Sequence, residues 1–137
     1  MKRRKSREIV LKSLYEIENS KKNLDEILKK IENIVDISIK NFAKELFLKT
    51  FENIEKIDEI ISESSHKWKI ERIASVDRNI LRIAISEIIF FPDIPYKVSI
   101  NEAIELAKKF GSEENSKKFI NGILSGVVKK LGIENSK

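Results

Sequence analysis

Apolar residues recur three and four positions apart along nearly the whole chain, and that period is the signature of helices that bury one face. Ile9, Val10, Leu11, Leu14, Tyr15 and Ile17 form a first stripe, with Lys12 and Glu16 outside it. A second begins after Asn23, whose capping-box partner Glu26 follows three residues on, and carries Leu24, Ile27, Leu28, Ile31, Ile34 and Val35. The spacing then predicts one long helix from about Ser38 to about Ser65, through Phe42, Leu46, Phe47, Phe51, Ile54, Ile57 and Ile61. In SSHKWKIERIAS the period fails, so this stretch is read as a link between two sub-bundles, with Trp68 packing across it.

Between about Val76 and Phe90 the apolar residues are too many for a single stripe, which predicts a helix covered on most sides. Pro92 and Pro95 close it, because proline lacks the amide proton a helix needs and biases its predecessor toward extended backbone. Ser99 and Glu102 then read as the S-x-x-E of the next helix start, and Gly111 as its C-cap. Asn115 or Ser116 caps a last helix ending near Gly132. Gly122 and Gly126 share a face of it, and close packing of a neighbouring helix is the preferred explanation over a ligand contact. The expectation is an all-α fold of two small packed bundles, with about six to seven helices.

With 137 residues the chain fits one domain whose core needs no covalent staple. Cysteine is absent, which excludes a disulfide framework, a thiolate metal site and a thiol nucleophile. The start is too polar for a secretory signal, and no apolar run reaches the roughly 18 residues of a membrane span. These features predict a cytoplasmic protein without membrane contact.

Charge changes the picture at one place. The chain carries 27 Lys and Arg against 22 Asp and Glu, a formal net charge of +5. Lys2, Arg3, Arg4, Lys5 and Arg7 account for that whole excess, so a neutral body bears one positive end. Such an end serves either as a solvated tail or as a grip for a polyanion, nucleic acid before membrane. A second basic start, Lys117 and Lys118 before Phe119 and Asn121, favours a nucleic-acid track, since cations beside an aromatic ring can hold phosphate and stack a base. Phe119 also suits a core position, and Tyr15 a stacking one.

Catalytic chemistry finds little support. His66 stands alone in a polar junction and reads as an ordinary surface residue, while the abundant acids fall on solvent faces with lysine partners. Phosphate-loop, dinucleotide-binding and nucleophile-elbow patterns are missing from the sequence. Neither an enzyme, a cofactor nor a metal is expected.

The stretch VDRNILRIAISEIIFFPDIPYKVSINEAIELAKKFGSEENSKKFINGIL resembles the C-terminal half of the NusB family of bacterial transcription antitermination proteins. The signature elements are D-R-x-I-L-R-I-A, I-P-Y-K-V-x-I-N-E-A-I-E-L-A-K, the F-G at a helix end and K-F-I-N-G-I-L; RRKSREIVLKSLYEIE resembles the family's basic first helix with its L-Y pair. SEENSKKF is one residue longer than the family pattern between F-G and K-F, and Lys5 stands where arginine is frequent.

The resemblance implies sub-bundles of about residues 1–67 and 68–137 within one domain, and a non-catalytic protein. It implies binding to single-stranded boxA RNA of nascent ribosomal RNA transcripts, with the ribosomal small-subunit protein NusE as partner, in a complex with RNA polymerase and other Nus factors. Family RNA contacts map onto Arg3, Arg4, Lys5 and Arg7, and onto Lys117, Lys118, Phe119 and Asn121. The NusE-facing surface maps onto Tyr15 and Asp77, a partner role that competes with stacking for Tyr15. Two alternatives stay open: a helical adaptor that binds proteins without touching RNA, and a relative of the similar domain fused to some ribosomal RNA methyltransferases.

Overall fold

The most apolar stretch of the sequence becomes the axis of the molecule. In the computed structural model, which describes residues 2–65 and 69–133, every residue from Asn79 to Glu87 is buried. They belong to α5 (Ser75–Phe90), which is touched by α1 (Lys2–Asn19), α3 (Ile37–Glu52), α4 (Ile54–Ser64), α6 (Tyr96–Phe110) and α7 (Ser116–Lys130). The remaining helix, α2 (Leu24–Glu32), lies on α1 and α3, and a short 3-10 turn at Ile70–Arg72 leads into α5. Seven α-helices and no strand occur among the described residues, so the fold is all-α as expected. The readings of His66 and Trp68 fall outside the described residues.

One contiguous core fills the space between helices, from Val10, Leu11 and Leu14 through Phe42, Leu46 and Phe47 to Ile80, Leu81, Ile120 and Leu124. Burial of such side chains is worth about 1.5–3 kcal/mol each, the main favourable term in folding. Phe91 closes α5 by packing edge-on against Phe42, ring centres 5.7 Å apart.

Three local expectations need correction. The long third helix is two: α3 ends at Glu52 and α4 starts at Ile54, with Asn53 at φ −114° and ψ 21° between them. There the Asn53 amide reaches back only to the Thr50 carbonyl, and its side chain donates to the Lys49 carbonyl at 2.8 Å. The break lets α4 leave α3 and lie against α5 and α7.

Helix α6 begins at Tyr96, right after Pro95, so Ser99 and Glu102 are interior residues and not a capping box. Their polar groups are turned to other helices, because buried charges need them.

Gly111 is the C-cap of α6, as expected, but with a φ of −55° and not a left-handed backbone. It is glycine for space, since a Cβ there would stand 2.4 Å from the Ala107 carbonyl oxygen and 2.8 Å from the Ser116 Cβ. Gly122 and Gly126 show the reverse, as a Cβ on either would meet nothing within 4 Å. Among the described residues no neighbouring helix comes that close to them.

Candidate nucleic-acid interface

The basic run is helical from its first described residue, Lys2. A helix start carries partial positive charge from its unpaired amides, so placing Lys2, Arg3, Arg4 and Lys5 there opposes the helix dipole. Neighbouring helices supply the compensation. Lys2 pairs with Asp36 at 2.9 Å, an aspartate that also caps α3, and this lysine holds the Asp36 carboxyl below its ordinary range. Arg3 lies over the Phe42 ring at 4.4 Å. Arg4 grips Glu102 with two bonds of 3.0 and 2.8 Å, which hold the Glu102 carboxyl below its ordinary range against the opposing effect of burial.

Arg7 departs from the expectation of an outward-facing cation. It is 4% exposed and makes a two-pronged pair with Glu87, itself 1% exposed, at 2.6 and 2.8 Å. Ser99 donates to the same carboxylate at 2.9 Å, and Glu102 comes within 3.6 Å of Arg7. Arg7 therefore belongs to a buried charge network joining α1, α5 and α6. The exposed cations of the run are Lys2, which pairs with Asp36, Arg3 and Lys5, with Arg4 half out: its side chain keeps 43% of its surface.

At the other end of α5 stands a second polar group. Asp77 is buried in the first turn, where it accepts from the Ser116 hydroxyl at 2.9 Å and the Ser112 hydroxyl at 3.2 Å. These bonds fix the turn before α7 and so aim the start of that helix. Lys117, Lys118 and Asn121 are exposed there, while Phe119 is half-buried against the core. Asp77 and Phe119 line one cleft of about 290 Å³, together with Arg72, Ile73, Asn115 and Ser116. Asp77, expected beside Tyr15, is thus grouped with the residues expected to face RNA.

The arginines of the D-R-x-I-L-R motif are scaffold. Arg78 pairs with Glu18 and donates to the Ile73 carbonyl at 3.0 Å. Arg82 joins Asp58 of α4 and Glu18 of α1, both at 2.7 Å. Burial works to lower the Arg82 pKa, but these two carboxylates outweigh it and the value is raised.

Tyr15 connects the two ends. Glu8, Lys12, Tyr15 and Asn19 share one face of α1. Glu8 meets Lys109 at 3.1 Å, Lys12 lies 5.7 Å from the Phe110 ring, and Asn19 donates to Ser75 at 2.8 Å. That face consequently runs from the end of α6 to the start of α5, and Tyr15 upon it is 42% exposed. Ten residues of helix separate Asp77 from Glu87, placing the two polar ends about 15 Å apart along α5.

Comparison with known proteins decides the lineage. The model of the NusB family matches residues 4–129. The chain belongs to the NusB family. It is 43% identical over 133 residues to the transcription antitermination protein NusB of Clostridium novyi, covering 94% of this chain and 99% of that one. The corresponding protein of Thermodesulfovibrio yellowstonii is 45% identical over 141 residues, covering 94% and 93%. Among solved structures, T. maritima NusB superposes with a TM-score of 0.84 at 42% identity, covering 93% of this chain and 91% of that one. A chain in the crystal structure of the antitermination factors NusB and NusE in complex with dsRNA superposes with a TM-score of 0.83 at 30% identity, covering 94% and 97%. Within this NusB-family frame, the sequence reading missed Glu87, Glu102 and Ser99 as the groups that hold the basic helix start. A signal was present: Arg7 lies three, four and seven residues before Val10, Leu11 and Leu14, on their buried face.

Proposed function

We propose that this NusB-family protein is a non-catalytic transcription antitermination factor that binds boxA-type single-stranded RNA of nascent ribosomal RNA transcripts. The observation that carries this reading is the helical start of α1, where Arg3 and Lys5 face outward against the helix dipole. Cations kept in that position add to the positive field of the helix end, which suits a phosphate chain. Arg4 contributes from its exposed edge, while Arg7 acts from inside by holding the helix start in place. Lys117, Lys118 and Asn121 form the second contact, with Phe119 offering an edge for a base beside the Asp77 cleft.

NusE is the protein partner, as the related complex of NusB and NusE with dsRNA supports. Exposed Tyr15, on the face of α1 between the two polar ends, is the natural place for it. The pair acts in the cytoplasm with RNA polymerase and other Nus factors, and needs no cofactor. Residues 1–137 work as one domain of two sub-bundles, which α5 ties together.

A titration of boxA-type RNA with the protein plus NusE tests this. Five cations of the proposed track, Arg3, Arg4, Lys5, Lys117 and Lys118, predict that log affinity falls against log salt with a slope of about −3.5, at about 0.7 per phosphate. Arg3→Ala/Lys5→Ala should weaken binding and flatten the slope by about 1.4. Unchanged affinity and slope would refute the placement. The exposure of Tyr15 also suits an adaptor that binds NusE alone; capture of NusE that survives nuclease, with no RNA binding by the pair, would favour that reading.

A further inference from the structure

Rows of cations explain phosphate binding but leave open where a base would sit. Beside the start of α1, between it and the loop entering α6, lies a cleft of about 330 Å³, inside the range of about 300–1,000 Å³ typical of ligand pockets. One wall is made of Arg3, Arg4 and Arg7; the floor is Ile94, Pro95 and Val98; Asp93 stands on the rim. Val98 keeps 42% of its surface although it is a large apolar residue on the first turn of α6. Arg7 and Glu102 in this wall are already matched to each other and to Glu87 and Arg4. Asp93 makes no ion pair among the described residues.

We propose that this cleft is a nucleotide subsite of the RNA surface, taking one unpaired base. The inference rests on the RNA-binding reading above and deepens it. Arg3 holds the phosphate with its guanidinium fork, and Arg4, whose Nε and Nη2 bond Glu102, adds positive charge from its exposed edge. The base lies against Pro95 and Val98, surfaces that any base can cover. Asp93 accepts hydrogen bonds and donates none when ionised, so it selects a base edge that carries an amino group: A, C or G over U. An organic phosphate alone would use the arginines but gain nothing from the apolar floor. The charge of the wall and the apolar floor together favour a nucleotide.

The test is a scan in which a single abasic residue is moved along a short boxA-type RNA, titrated by fluorescence anisotropy with the protein plus NusE. Loss of the base at one position should weaken wild-type binding about five-fold or more, the effect of one stacked base. With Val98→Asn, whose exposed site tolerates the change, the same abasic penalty should shrink to less than about two-fold, because the floor it depended on is gone. Asp93→Ala should remove the preference against U at that position. If RNA binds in an Arg3- and Lys5-dependent way but no position is coupled to Val98, the subsite is wrong and the RNA-binding reading stands. If wild type with NusE binds no RNA, both fall together.

Discussion

Replacing Arg7 by methionine should damage stability far more than replacing any other cation of the basic run. The substitution keeps an unbranched side chain of similar reach and removes both bonds to Glu87, at 2.6 and 2.8 Å. Glu87 would stay 1% exposed with only the Ser99 hydroxyl facing it. Breaking a buried pair while leaving one charge behind costs about 3–5 kcal/mol. A chain of 137 residues has a folding free energy of about 7–20 kcal/mol, so the loss takes a large share of it. At about 3 °C per kcal/mol the midpoint should fall by about 10–15 °C. Circular dichroism during heating, with urea titration as a second measure, reads the effect. Arg4→Met should lower the midpoint much less, because that side chain keeps 43% of its surface in water. Adding Glu87→Gln to Arg7→Met should restore part of the loss, since a neutral amide is cheaper to leave in the interior. An Arg7→Met variant within about 1 kcal/mol of wild type would refute the buried-network account.

Other outcomes follow from the same geometry. Gly111→Ala should cost about 1–3 kcal/mol, because its Cβ would stand 2.4 Å from backbone oxygen, and urea unfolding reads it. Gly122→Ala and Gly126→Ala should instead each stabilise by about 0.5–1 kcal/mol, as both lie inside α7 with open space around them. Stability should also decline in acid. Arg4 lowers the folded-state pKa of Glu102 from its ordinary 4.5, so the contribution is present above about pH 4.5 and lost as pH falls through the lower folded value. Glu18, whose burial would raise its pKa, is lowered on balance by bonds from Ser75, Arg82 and Arg78 and acts in the same direction. Denaturant midpoints at pH 7 and at pH 3.5 should therefore differ in wild type, and the difference should shrink in Glu102→Gln.

Helix periodicity made most of the fold legible, and where it misled, two structures shared one pattern. Val76–Phe90 was expected and Ser75–Phe90 is found, since a run of apolar residues closed by proline leaves little choice. The division at Asn53 was invisible because Phe51, Ile54 and Ile57 keep helical spacing straight through it. Ser99 and Glu102 looked like a cap because a cap and an interior pair both place residues three apart. Pro95 was the better start signal, with its fixed φ at the edge of α6. At the candidate site, reading Lys2 to Arg7 as one charged block hid the helix phase that turns Arg7 inward. The acids that answer the block, Glu87 and Glu102, lie some eighty and a hundred residues away in sequence. Pairing over that distance comes from the fold, not from local pattern.

Terminator read-through in a purified transcription reaction, with RNA polymerase, NusE, the other Nus factors and a boxA-bearing template, tests the central claim most directly. Wild type is expected to raise read-through on the boxA template and leave a scrambled-boxA template unchanged, and folded Arg3→Ala/Lys5→Ala to lose most of that gain. Read-through that ignores boxA, or that the double variant supports as well as wild type, would contradict the account.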